Sequence, residues 1–137
     1  MTTLQTSTPS FPSDLLAVAV EAARAAGEEI CRQRQTCSVS VSFKGARDLL
    51  TTADLAAEKI VIETIRSHYP SHAILAEESS QNADPSQFAR GAVWVIDPID
   101  GTTNFAHGLP IFCASLALEV NGVLEVREYQ SIGEAGW

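Results

Sequence analysis

Leu15, Ala19, Ala22, Ala26 and Ile30 recur at three- and four-residue spacing, which predicts one long amphipathic helix from Ser13, its cap, to about Arg34. A second helix is predicted from Thr51 or Thr52 to about His68, with Leu55, Ile62, Ile65 and Tyr69 on one face and Pro70 closing it. Between the two, Val39, Val41 and Phe43 alternate with Ser40 and Ser42, the period-two pattern of a short strand, and Lys44 to Asp48 reads as a polar loop. Two apolar runs, Ala73 to Ala76 and Ala92 to Ile96, read as strands that end on acids: the first on Glu77-Glu78, the second on Asp97. If neighbours, they deliver those acids to one rim, where ligand sites of α/β sheets gather. Ser79 to Arg90, rich in Ser, Gln, Asn, Asp and Pro, is a surface connection. Ile111 to Val120 is apolar enough for a further strand, and Asn121-Gly122 before Val123 to Val126 signals a β-hairpin.

At 137 residues and 45% hydrophobic content the chain suits one domain with a real core, and its apolar segments are too short to span a membrane. The Thr/Ser/Pro-rich opening from Met1 to Pro12 has neither the basic nor the apolar region of a signal peptide and reads as a loose arm. Cys31, Cys37 and Cys113 are odd in number and scattered, as expected of reduced thiols in the cytoplasm. The net charge of −8, from 17 acidic and 9 basic residues, argues against a nucleic-acid partner. An acidic protein that handles an anion needs cations.

The run Asp97-Pro98-Ile99-Asp100-Gly101-Thr102-Thr103 supplies that requirement with its own logic. Asp97 and Asp100 lie three residues apart, Glu77 belongs to the adjacent strand end, and no Lys or Arg occurs between Arg90 and Arg127. Such carboxylates either rise in pKa or are neutralised by a cation, and hard oxygen donors, with a backbone carbonyl such as that of Ile99, suit Mg2+. Gly101 allows backbone to approach a ligand, and Gly101-Thr102-Thr103 can open a short helix whose free N–H groups face a phosphate. The Thr102 hydroxyl, with Asp54, is placed to orient a water. Read alone, Asp54 is a helix-start carboxylate favoured by the helix dipole. His68, His72 and His107 read as surface or packing residues.

Trp94 to Phe105, read as Trp-Val-Ile-Asp-Pro-Ile-Asp-Gly-Thr-Thr-Asn-Phe, resembles the signature of the inositol monophosphatase family, in the superfamily of lithium-sensitive, magnesium-dependent sugar phosphatases. The resemblance extends through Ala76-Glu77-Glu78-Ser79, through Thr51-Thr52-Ala53-Asp54, and to Lys44 in the loop. It implies that Glu77, Asp97, Asp100 and the Ile99 carbonyl coordinate Mg2+, that Gly101 and Thr102 meet the phosphate, and that Asp54 and Thr102 position the attacking water. It implies a structural role for Asn104, and it puts Lys44 near the metals, a weak candidate because a lone lysine in such a loop is usually just solvated. The implied fold is α+β, the layered αβαβα sandwich of the sugar phosphatases, represented here by its N-terminal part, and full-length relatives tend to be homodimers.

The resemblance stops near Val126, so the chain divides into an arm at 1–12, the family-like domain at 13–126 and a divergent tail at 127–137. The expected activity is Mg2+-dependent hydrolysis of inositol monophosphate. Histidinol-phosphate, nucleotide and fructose bisphosphate phosphatases are the alternatives within the superfamily. A non-catalytic remnant that pairs with a partner is the alternative outside it.

Overall fold

The computed structural model describes residues 11–36, 39–44 and 49–131. Cys37 and the loop residues Gly45 to Asp48 lie outside them. Helix α1 (Phe11–Gln35) is followed by the short strands β1 (Val41–Phe43) and β2 (Leu49–Thr51), helix α2 (Thr52–His68) and strand β3 (Ala73–Ala76). A 3-10 turn at Pro85–Phe88 sits in the expected surface connection, then come β4 (Ala92–Asp100), α3 (Thr102–Ala106), β5 (Cys113–Val120) and β6 (Val123–Ser131).

α1 begins at Phe11, so Ser13 lies inside the helix and is not its cap. Pro12 falls in the first turn, where a missing N–H costs nothing. Its expected face, Leu15, Ala19, Ala22, Ala26 and Ile30, is buried and packs with Ala53, Ala57, Val61 and Ile65 of α2 in one core. Five of these nine positions are alanine, three on α1 and two on α2, which lets the two helices approach closely.

The expected face of α2 was partly wrong: Leu55 is 50% exposed. The buried stripe is Ala53, Asp54, Ala57, Glu58, Val61 and Ile65. It follows helical spacing through alanines and two acids, so the large Leu55 is displaced to solvent by a face whose buried positions do not look apolar.

The main sheet has the order β3-β4-β5-β6, with β3 parallel to β4 and the other pairs antiparallel; β1 and β2 form a separate antiparallel ribbon. Trp94, Ile96, Leu116, Leu118 and Val126 are buried in the core that α1 and α2 share. Two layers, helices on one face of a sheet, therefore account for the described residues. Asn121 and Gly122 both take positive φ, at 50° and 80°, as the tight β5–β6 hairpin requires.

Strand β4 does not stop at Ile96 as expected but runs to Asp100. Its pairing with β5 shifts register between Asp97↔Ser115 and Asp100↔Cys113, a one-residue bulge that accommodates Pro98 and bends the strand. β6 continues past Val126, pairing as far as Ser131↔Cys113. Around this frame the histidines pack as expected: the Trp94 indole N–H donates to His72 Nδ1 at 3.0 Å, and His72 stacks on Tyr69 at 4.5 Å between centroids. Phe105 of α3 meets Phe112 edge-on at 5.1 Å, holding α3 to the core.

Candidate metal and phosphate site

The parallel register Ala76↔Ile96, with the Glu77 N–H donating to the Ile96 carbonyl at 3.2 Å, carries Glu77 and Asp97 off neighbouring strands side by side. Burial raises the Asp97 carboxyl from 3.8 to about 8, helped by a hydrogen bond with Glu77 and by the charges of Glu77, Asp100 and Asp54. One of its oxygens, Oδ1, is buried without a hydrogen-bond partner among the described residues. Asp100 lies beyond the bulge and is exposed. A cavity of about 450 Å³, lined in part by Leu75, Glu77, Val95, Asp97 and Ser115, opens beside the pair on the sheet face away from the core.

Lys44, directly after β1, reaches into this cluster. Its ammonium lies 2.8 Å from Glu78 Oε1 and 3.3 Å from Glu77 Oε1. Burial works against its charge, but the hydrogen bond to Glu78 and the attraction of both glutamates leave its pKa raised. The Glu78 side chain is 3% exposed. Burial raises its pKa in spite of Lys44. The Glu78 backbone N–H donates to Glu58 Oε2 at 2.9 Å, so buried Glu58 of α2 supports the strand end. Sequence reasoning missed Glu58, although its four-residue spacing from Asp54 puts both acids on one helix face.

Asp54 plays the helix-start role and more. As the third residue of α2 it forms a reciprocal capping box with Thr51, accepting from the Thr51 N–H at 2.9 Å and from the Thr51 hydroxyl, while its own N–H donates to Thr51 Oγ1 at 3.2 Å. Its other oxygen, Oδ1, lies 3.0 Å from Thr102 Oγ1, and that hydroxyl is also 3.1 Å from the Ile99 carbonyl. Asp54 is fully buried. Burial raises its pKa, against the hydrogen bonds from Thr51 and Thr102 and the charge of Lys44.

Gly101 precedes Thr102 at φ +99°, and a Cβ there would sit 2.8 Å from the Ile111 carbonyl oxygen. Only glycine meets both demands. The Asn104 amide donates to the same carbonyl at 2.9 Å, which ties α3 to the chain that leads into β5.

Of the residues expected to act together, the structure joins Glu77 with Asp97 and Asp54 with Thr102, and it adds Lys44 and Glu78 to the first pair. Among the described residues no three His, Cys, Asp or Glu side chains form a ready-made metal cage. Lys44 holds both glutamates, and Asp54 is turned toward Thr51 and Thr102. The oxygens nevertheless suit a hard divalent cation, since they belong to carboxylates and a carbonyl and, among the described residues, one buried Asp97 oxygen lacks a partner. The free thiols of Cys31 and Cys113 are not part of this set, although burial, Asp100 and Asp97 raise the pKa of Cys113.

The model of the inositol monophosphatase family matches residues 12–126. The chain belongs to this family. Relatives include the Nus factor SuhB of Salmonella typhimurium, 45% identical over 113 residues that cover 82% of this chain and 41% of that protein. The inositol monophosphatase of Mesembryanthemum crystallinum is 39% identical over 111 residues, 81% of this chain and 41% of its own length. Among solved structures, the extragenic suppressor protein suhB from Bartonella henselae superimposes with a TM-score of 0.79 at 33% identity, covering 89% of this chain and 46% of that one. The fold is therefore the mixed α and β fold of the family, and the chain spans about two fifths of the length of the curated relatives it matches. Further relatives named Nus factor SuhB occur in Escherichia coli and Pseudomonas aeruginosa. Among the described residues no helix is long and apolar enough to cross a membrane.

Proposed function

We propose that this chain carries the metal-binding and water-orienting part of a Mg2+-dependent phosphomonoesterase that acts on inositol monophosphate. The observation that carries the reading is the Glu77 and Asp97 pair, set side by side by parallel register with Asp97 driven up to about 8. Two carboxyls so placed share a proton or bind a cation.

Glu77, Asp97, Asp100 and the Ile99 carbonyl would hold Mg2+. When bound, such an ion polarises the phosphoryl oxygens and lowers the pKa of a water. The chain's own part in the reaction is proton handling and anion placement. Thr102 Oγ1, when it donates to Asp54 Oδ1, can accept a hydrogen bond from the water and hand its own proton to Asp54 as it takes the water's. Asp54, buried and raised in pKa, is the stronger base at the end of that relay. Gly101, in left-handed backbone and packed tightly against the Ile111 carbonyl, sets the start of α3, whose free N–H groups would face the phosphate.

Support for the substrate class comes from family membership and from relatives named inositol monophosphatase in a plant and in Dictyostelium discoideum. The test is phosphate release from inositol monophosphate by the purified chain, with and without Mg2+, beside Asp97→Asn. Mg2+-dependent turnover lost in the variant is the expected result, and turnover that survives in Asp97→Asn would refute the assignment.

The Lys44 ammonium already seated on Glu77 and Glu78 favours a second reading, a non-catalytic unit that binds a cation or a partner. A folded chain that binds Mg2+ and releases no phosphate would select it.

A further inference from the structure

Three acids meet at the ends of β3 and β4, and the cation that lies among them belongs to the chain itself. The Lys44 ammonium is 2.8 Å from Glu78 and 3.3 Å from Glu77. We infer that Lys44 is an internal counter-ion of the carboxylate cluster, and that a divalent cation must displace it from Glu77 to bind.

The inference rests on the metal-site reading above and deepens it. Glu77 is the acid that the two cations would share. A carboxylate oxygen that already accepts from an ammonium is a weaker ligand, and an ammonium left in place would repel a second cation at short range. Glu78 is the closer and more buried of the two anchors, with a side chain 3% exposed against 44% for Glu77. Lys44 can therefore give up Glu77 and remain bonded to Glu78. The arrangement serves the metal-free protein by offsetting charge at a strand end where burial and the charges of Glu77 and Asp54 raise the pKa values of Glu78 and Asp97. It also sets the metal affinity below what the oxygen ligands alone would give.

The experiment is a titration of the full chain with Mn2+, the free ion followed by its electron paramagnetic resonance signal, for wild type, Lys44→Gln, Lys44→Arg and Asp97→Asn. Thermal melts with and without Mn2+ accompany it. Lys44→Gln is expected to bind roughly fivefold tighter, the scale of removing one partly exposed charge from the site. It should melt lower than wild type without metal and gain more from saturating Mn2+, because tighter ligands stabilise by mass action. Lys44→Arg, which keeps the charge, should bind as wild type does. Equal or weaker binding in Lys44→Gln, with wild type binding normally and Asp97→Asn not, overturns the counter-ion role alone. A wild-type chain that takes up no Mn2+ overturns the metal-site reading and the counter-ion role with it.

Discussion

Asp54 shows how one carboxylate serves two links of the argument. Oδ2 caps α2 through Thr51 while Oδ1 faces Thr102, a residue 48 positions away in sequence. Asp54→Asn keeps an oxygen for the cap and is expected to change stability by less than about 1 kcal/mol in chemical denaturation, whereas Asp54→Ala should cost about 1–2 kcal/mol. If the relay through Thr102 operates, Asp54→Asn will nevertheless lose most of any phosphatase activity. Gly101 is the opposite case, a residue whose value is the side chain it lacks. With φ at +99° and the Ile111 carbonyl 2.8 Å from where a Cβ would sit, Gly101→Ala should destabilise by roughly 1–3 kcal/mol. A denaturation midpoint unchanged in that variant would contradict the close approach.

At the scale of elements, the contact between α1 and α2 is the most demanding. Ala22, Ala26, Ala53 and Ala57 are fully buried, so the helices meet over methyl groups. Ala26→Leu should therefore overpack the contact and cost about 1–3 kcal/mol, read from the denaturation midpoint at constant m-value. Much of this level was legible from periodicity: the α1 stripe, the two-residue hairpin turn and the two acid-bearing strand ends all follow local rules. The face of α2 was not, because Asp54 and Glu58 take buried positions that a hydrophobicity pattern assigns to solvent. They are buried because Thr51, Thr102 and the Glu78 N–H satisfy them, and all but the first of these are far away in sequence. The bulge that prolongs β4 was hidden for a related reason. Pro98 signals an interruption, but it takes pairing with Cys113 to restart the strand.

For the molecule as a whole, the acidic site is a cost to stability that pH should reveal. The Asp97 carboxyl titrates near 3.8 unfolded and at about 8 when folded, so between these values the folded state holds a proton that the unfolded state has lost. Stability of the metal-free chain is therefore fully present at acid pH, falls as pH rises from about 4 through about 8, and levels off above. Asp54 and Glu78, also raised, act in the same direction. Urea midpoints measured across this range should decline in wild type and decline less in Asp97→Asn, which cannot ionise. A midpoint that rises with pH over the window would show that the cluster is not desolvated as described.

By itself the sequence determined the local facts of this protein: where the chain turns, which helix face of α1 is apolar, and that Asp97 and Asp100 share one turn at a strand end. These depend on neighbours within one or two turns, and residue type and spacing suffice to read them. Tertiary structure decided which acids meet. Glu77 stands by Asp97 because β3 lies parallel to β4, Asp54 bonds Thr102 because α3 folds back on the start of α2, and Lys44 neutralises glutamates more than thirty residues away. The charge of a site depends on distances through space, and spacing along the chain does not contain them.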